Sequence, residues 1–176
     1  ISDGTSTVVA GNEVSAMVNG SGTGASFYMI RDIAIDPANT TNLYIADNCT
    51  VRRMNTTTLA VTTIVGSTVC GNTNGIGTAA SLPQLAALAI SGTILFIASA
   101  HIIKKVDLGT LLVTDVAGVY NTSDYAEGIG SAARFKSITA ITAMGDYLYA
   151  LDQTNYRVRS VNTVTNEVTT LTGDGT

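Results

Sequence analysis

The 176 residues are 45% hydrophobic and only 12% charged, with 13 acidic against 9 basic side chains and one histidine. That balance excludes intrinsic disorder, which needs low hydrophobicity and high net charge. A formal net charge of −4 leaves no basic footprint for nucleic acid, and a lone His101 is too little for most zinc sites or for histidine-based acid/base chemistry.

Taken in order, the chain repeats itself. A Thr/Val run over residues 5–10 closes at Gly11, and a glycine-rich loop NGSGTGASF follows over 19–27. Then come apolar runs IRDIAI (30–35), LYIAD (43–47) and VRRMN (51–55), and a Thr/Val run that closes at Gly66. The second unit reads NGIGTAASL (74–82), LAALAI (85–90), LFIAS (95–99), IKKVD (103–107) and VTDVAG ending at Gly118. The third reads EGIGSAARF (127–135), ITAITA (138–143), LYALD (148–152), VRSVN (158–162) and VTTLTG ending at Gly173. Gly20, Gly75 and Gly128 stand 55 and 53 residues apart. Each unit predicts four short β-branched and aromatic strands separated by Gly, Asn, Asp and Thr turns. Residues 1–176 are thus one repeat segment, with units over about 30–66, 85–118 and 138–173 and an orphan fourth strand at about 5–10.

No Asp, Glu, Lys or Arg lies between Arg53 and Lys104, and residues 82–103 are long enough for a membrane-spanning helix of roughly 20 residues. The repeat removes that reading. Ser91-Gly92-Thr93 is the turn between the first two strands of the second unit, and the matching turns carry Asp36 and Asp146, which no spanning segment places at mid-bilayer. Four antiparallel strands repeated at this period make a blade of a β-propeller. A β-sandwich rarely repeats so regularly, and the coils of a parallel β-helix are much shorter. Blades packed face to face bury both sheet surfaces, which accounts for the missing charge. Arg52, Arg53, Lys104, Lys105 and Arg159 on the third strands are expected on a solvated outer edge rather than in a basic binding patch.

These residues resemble the NHL-repeat propellers. The third unit matches best, through Glu127, Gly128, Gly130, Phe135, Asp152, Asn155, Arg157 and Arg159. The first unit keeps Gly20, Gly22, Phe27, Asp47, Asn48 and Arg52 but has Thr50 in place of Arg157; the second substitutes Ser99, Ala100 and Ile102 for the Asp, Asn and Arg. The resemblance implies that the signature residues hold the blade together, with Asp, Asn and Arg bonding one another at the turn between second and third strands. It implies a diverse set of functions: protein-interaction modules, extracellular sensors, RNA binders and some metal-dependent lyases or esterase-like enzymes. The acidic chain does not look like the RNA binders, and the lyases need several histidines around a metal. No catalytic constellation, metal site or cofactor is expected.

Cys49 falls in the turn between second and third strands of the first unit, and Cys70 in the connection to the next unit. Both emerge on one face of a propeller, so a disulfide closing about 20 residues is expected, contributing roughly 3 kcal/mol. Asn-x-Ser/Thr glycan acceptors occur at Asn19, Asn39, Asn48, Asn55 and Asn121, all in predicted turns or loops. Together these favour an extracellular or cell-surface address. No signal, anchor or polybasic segment is visible, so any targeting sequence is expected to have been removed or to lie outside residues 1–176.

Closed propellers have about four to eight blades, so three leave flat sheet faces open at both ends. The chain is therefore expected to be half, or a fragment, of a six-bladed ring, completed by a homodimer partner or by further blades of the same chain. The function expected is non-enzymatic recognition of a protein or extracellular ligand through the loop-rich face, with Asn48, His101, Tyr120, Tyr125, Asn155 and Tyr156 as contacts. The alternative is a propeller hydrolase or lyase with a metal near the central channel, to which Asp32 and Asp36 would contribute.

Overall fold

The computed structural model describes residues 7–175, which form three antiparallel sheets and almost no helix. The first sheet comprises β1 (Gly20–Ser21), β2 (Ile30–Ile35), β3 (Asn42–Asp47), β4 (Thr50–Asn55) and β5 (Ala60–Gly66). The second comprises β6 (Gly75–Ile76), β7 (Ala87–Ser91), β8 (Ile94–Ala98), β9 (Ile102–Asp107) and β10 (Leu112–Gly118). The third comprises β11 (Gly128–Ile129), β12 (Ile138–Met144), β13 (Tyr147–Asp152), β14 (Arg157–Asn162) and β15 (Glu167–Thr172). The spatial order in the first sheet is β1-β5-β4-β3-β2, and the other two repeat it. Each is a blade of a β-propeller, with β2, β7 and β12 innermost.

The blades have five strands rather than the four expected. The glycine-rich loop adds a two-residue strand to the outer edge of the fourth strand, as at Gly20↔Val61, before a 3₁₀ turn carries it inward. Two residues are too short to leave a periodicity in the sequence, yet they cover an edge that would otherwise be open to pairing. Of the orphan strand expected at about 5–10, residues 7–10 form no strand, and residues 5 and 6 lie outside the described residues.

The hairpins are set by local chemistry. Asn55, Asp107 and Asn162 end the third strands, and each side-chain oxygen accepts two backbone N–H groups of the turn that follows. The turn closes on Leu59, Leu111 or Asn166 in the left-handed region. In each fourth strand a bulge leaves one extra residue, Ile64, Val116 or Leu171. The innermost strands of the first and third blades are also bulged, at Arg31 and Thr139.

One buried cluster joins the first two blades, with Tyr44, Val51, Ile64 and Val65 against Leu82, Leu85, Leu88 and Leu95. Another joins the second and third through Phe96, Ile103 and Val116 against Phe135, Ile138 and Leu148. The second blade is covered on both faces, so the uncharged stretch is its β7–β8 hairpin, and no helix among the described residues is long and apolar enough to cross a membrane. At the ends of the arc the same positions are bare. Ile30 is 53% exposed where Leu85 is 2% and Ile138 is 1%, and Leu171 is 61% exposed where Val116 is 2%.

Candidate functional site

The expectation that the third-strand cations line a solvated edge is wrong for three of them. Arg52, Lys104 and Arg159 are completely buried, whereas Arg53 is exposed and Lys105 half-buried. The side chains of Arg52 and Arg159 pass beneath the glycine-rich loop and tie it down. Arg159 pairs with Asp152 at 3.2 Å and donates to Arg134 O at 3.1 Å and Ala126 O at 2.9 Å. Asp152 also accepts from Lys136 N, Ser137 N and Asn155 Nδ2. Arg52 pairs with Asp47 at 3.0 Å and donates to Val18 O, Ser26 O and Asn19 Oδ1, while Asp47 accepts from Tyr28 N and Met29 N. Phe27 and Phe135 lie over these guanidinium groups at 5.4 and 5.2 Å. The second blade, with Ser99 for Asp, uses Lys104 instead, held by Asp115 and Asn74.

The same network absorbs several residues expected to face a partner. Asn155 is buried, bonded to Asp152 and to Asp124 O. The Tyr125 ring stacks on Arg157 at 4.0 Å and Arg159 at 4.8 Å, and its hydroxyl meets Thr170 and Glu127. Hydrogen bonds from Thr170, the backbone N–H first, hold the Glu127 carboxyl below the usual carboxylate range. Asn48 is buried in the left-handed region; its amide contacts Cys70 Sγ at 3.8 Å and accepts from Gln84 Nε2. His101 and Tyr120 are half-buried on the same face, and Tyr156 projects from its turn at 66% exposure. Among the glycan-acceptor asparagines, Asn19, Asn39 and Asn121 are exposed, Asn55 half-buried and Asn48 buried.

Cys49 and Cys70 form a disulfide, with Cα atoms 5.3 Å apart, and so hold the β3–β4 turn to the connection leading into the second blade. With the two cysteines 21 positions apart in sequence, replacing both by Ala is expected to cost about 3 kcal/mol of unfolding free energy. Urea denaturation of the oxidised, reduced and doubly substituted chains measures this; an unchanged midpoint would show that the bridge adds nothing to stability.

Those turns also join the blades. Asn48 O accepts from Leu85 N at 2.7 Å, and Ala100 O accepts from Ile138 N at 2.9 Å. Beside them, where the innermost strands of all three blades begin, lies a recess of about 410 Å³ lined by Arg31, Gln84, Ala86, Ala100, Ser137 and Thr139 among others. The bulges put Arg31 and Thr139 there, which is a common use of a bulge beside a binding site. No motif marks this recess, because its polar residues come from three different units.

The carboxylates of the metal-dependent alternative are occupied by backbone. Asp32 accepts from Ile33 N and, across the blade interface, from Leu88 N at 2.8 Å. Asp36 accepts from Ala38 N and Asn39 N of its own turn. Burial first, and then the Asp36 charge, push the nearby Tyr44 phenol above its ordinary range, with Arg53 pulling the other way. No group of three or more His, Cys, Asp or Glu among the described residues is arranged to hold a metal ion.

No protein-family model matches the chain, and no curated protein matches it. Solved structures do. A chain of the nidogen/laminin complex is 15% identical at a TM-score of 0.59, over 84% of this chain and 48% of its own. The WD40 repeats of RRP9 are 14% identical at 0.53, over 82% and 39%, and Sqt1 of Saccharomyces cerevisiae is 12% identical at 0.54, over 83% and 36%. The chain thus spans less than half the length of each of these structures. At such identities the likeness concerns architecture alone, and with the three repeated sheets it identifies the chain as a segment of β-propeller fold.

Proposed function

We infer that this chain is an NHL-type propeller arc, half of a six-bladed ring, and a non-enzymatic extracellular module that binds a protein or other ligand through the face carrying the β3–β4, β8–β9 and β13–β14 turns. The observation that carries the reading is the recess at the start of the innermost strands, where Arg31, Gln84, Ser137 and Thr139 offer donors and acceptors from three blades. The buried cations and carboxylates serve the scaffold, which leaves recognition to this recess and to exposed loop groups such as Tyr156, with His101 and Tyr120 on the same face. The Cys49–Cys70 bridge supports an oxidising compartment.

The test is selection from a display library of secreted and cell-surface domains against the intact chain. Binders are then measured on Arg31→Ala plus Tyr156→Ala and on the rim control Arg53→Ala. Affinity is expected to fall at least 10-fold in the double variant and to hold within 2-fold in the control, with each interface side chain contributing on the order of 1 kcal/mol. Equal affinity for all three proteins would place recognition elsewhere and sink the reading.

A further inference from the structure

The recess where the innermost strands begin contains a cation with no counter-ion. Arg31 is exposed, and among the described residues it joins no ion pair; those present belong to Arg52, Lys104 and Arg159. The adjacent Asp32 is engaged elsewhere, accepting from Ile33 N and Leu88 N. Arg31 Nη2 donates to Met29 Sδ at 3.1 Å, which steadies the side chain and leaves its other N–H groups for a ligand.

Gln84 stands beside it with the opposite offer. Its Nε2 donates to the same sulfur at 3.2 Å and to Asn48 Oδ1 at 3.4 Å. An amide nitrogen carries two hydrogens, so both are used, and two acceptors on one atom fix which way round the amide lies. The atom left for a ligand is the acceptor Oε1. Asn48 is itself buried and donates to Cys70 Sγ at 3.8 Å, so the disulfide backs this amide. A donor fork and an acceptor are thus anchored on one thioether, and the third blade adds the hydroxyls of Ser137 and Thr139.

We propose that this recess takes an acidic residue of a peptide, with its carboxylate on the Arg31 fork and a main-chain N–H of the same segment on Gln84 Oε1. The proposal deepens, and rests on, the reading of the recess as the recognition site. A phosphate or sulfate group would satisfy Arg31 but is chiefly an acceptor and brings no donor for Gln84. A sugar acid brings hydroxyl donors, but among the described residues no aromatic ring lines the recess to receive the face of a sugar. Between its polar groups the lining is Leu85, Ala86, Ala100 and Ile138, which suits the methylene groups of a peptide side chain.

Selection of phage-displayed random heptapeptides against the intact chain tests this. Asp and Glu are expected to be enriched among the binders. A net charge of −4 repels acidic peptides, so such enrichment reports a site and not the overall field. For a synthesised binder, changing the acidic residue to its amide is expected to weaken affinity at least about 10-fold, as is Arg31→Gln on the chain, and the two together no further. Gln84→Leu is expected to weaken both forms of the peptide about 5-fold. Both residues are exposed, so neither change opens the core. Neutral or basic binders that still lose affinity on Arg31→Gln overturn the acidic class and leave the recess as the recognition site. Acidic binders indifferent to that change overturn the recess reading as well. Displacement by inorganic phosphate or glucuronate as readily as by N-acetylaspartate methylamide shows an anion subsite without preference for a peptide, and overturns the proposal. A selection that yields no binder overturns it too, while the display of whole domains still tests the reading beneath.

Discussion

Asp152→Ala is expected to destabilise the chain by about 3–5 kcal/mol, because it leaves the buried Arg159 guanidinium without its counter-charge. The loss is larger than one ion pair would suggest. Asp152 also accepts from Lys136 N and Ser137 N at the entry to β12 and from Asn155 Nδ2 in the β13–β14 turn, so those donors lose their acceptor too. Chemical denaturation monitored by circular dichroism measures the change. The double variant Asp152→Leu with Arg159→Met is expected to lose less than Asp152→Ala alone, since removing both charges removes the desolvation problem along with the attraction. A double variant worse than either single one would show that the pair contributes net stability.

Gly118→Val is expected to cost at least about 2 kcal/mol, for two separate reasons. Gly118 has φ +89°, which a β-branched residue adopts only under strain. An added Cβ would also meet the His101 carbonyl, and would lie 2.9 Å from the Phe135 ring, which belongs to the next blade. The substitution therefore strains the second blade and its contact with the third together. Gly24, with nothing within 4 Å of an added Cβ, is the control, and Gly24→Ala is expected within about 0.5 kcal/mol of the parent chain. Equal unfolding midpoints for the two variants would refute the packing role assigned to Gly118.

The repeat made the architecture legible because strand runs and turn residues recur at matching positions, and a tertiary arrangement that repeats leaves its period in the chain. Contacts between units left no such period. Arg52 and Arg159 read as edge cations, since charge on a strand ordinarily marks solvent; their burial follows from a carboxylate at the end of the preceding strand, Asp47 and Asp152, in the same repeat. That pairing is visible in the sequence once the units are aligned, and the absence of Asp at Ser99 already separates the second unit. Asn155 and Tyr125 look like loop surface for the same reason: their partners, Asp152, Arg157 and Arg159, lie on elements whose facing sides only the folded sheet defines. The recess around Arg31 was beyond reach of any motif, being assembled from short stretches of three units and flanked by two bulges.

The exchange of the Asp–Arg pair for Lys104 in the second blade has a consequence for how such a chain can change. Among the described residues that blade packs against one blade on each side, while the first and third each pack against the second alone. In an array where stability is close to a sum of unit and nearest-neighbour contributions, the inner unit can lose part of its own fastening and stay folded. For residues 1–176 on their own, the second blade is thus expected to withstand loss of its fastening better than the first or third, which have one neighbour each to lean on.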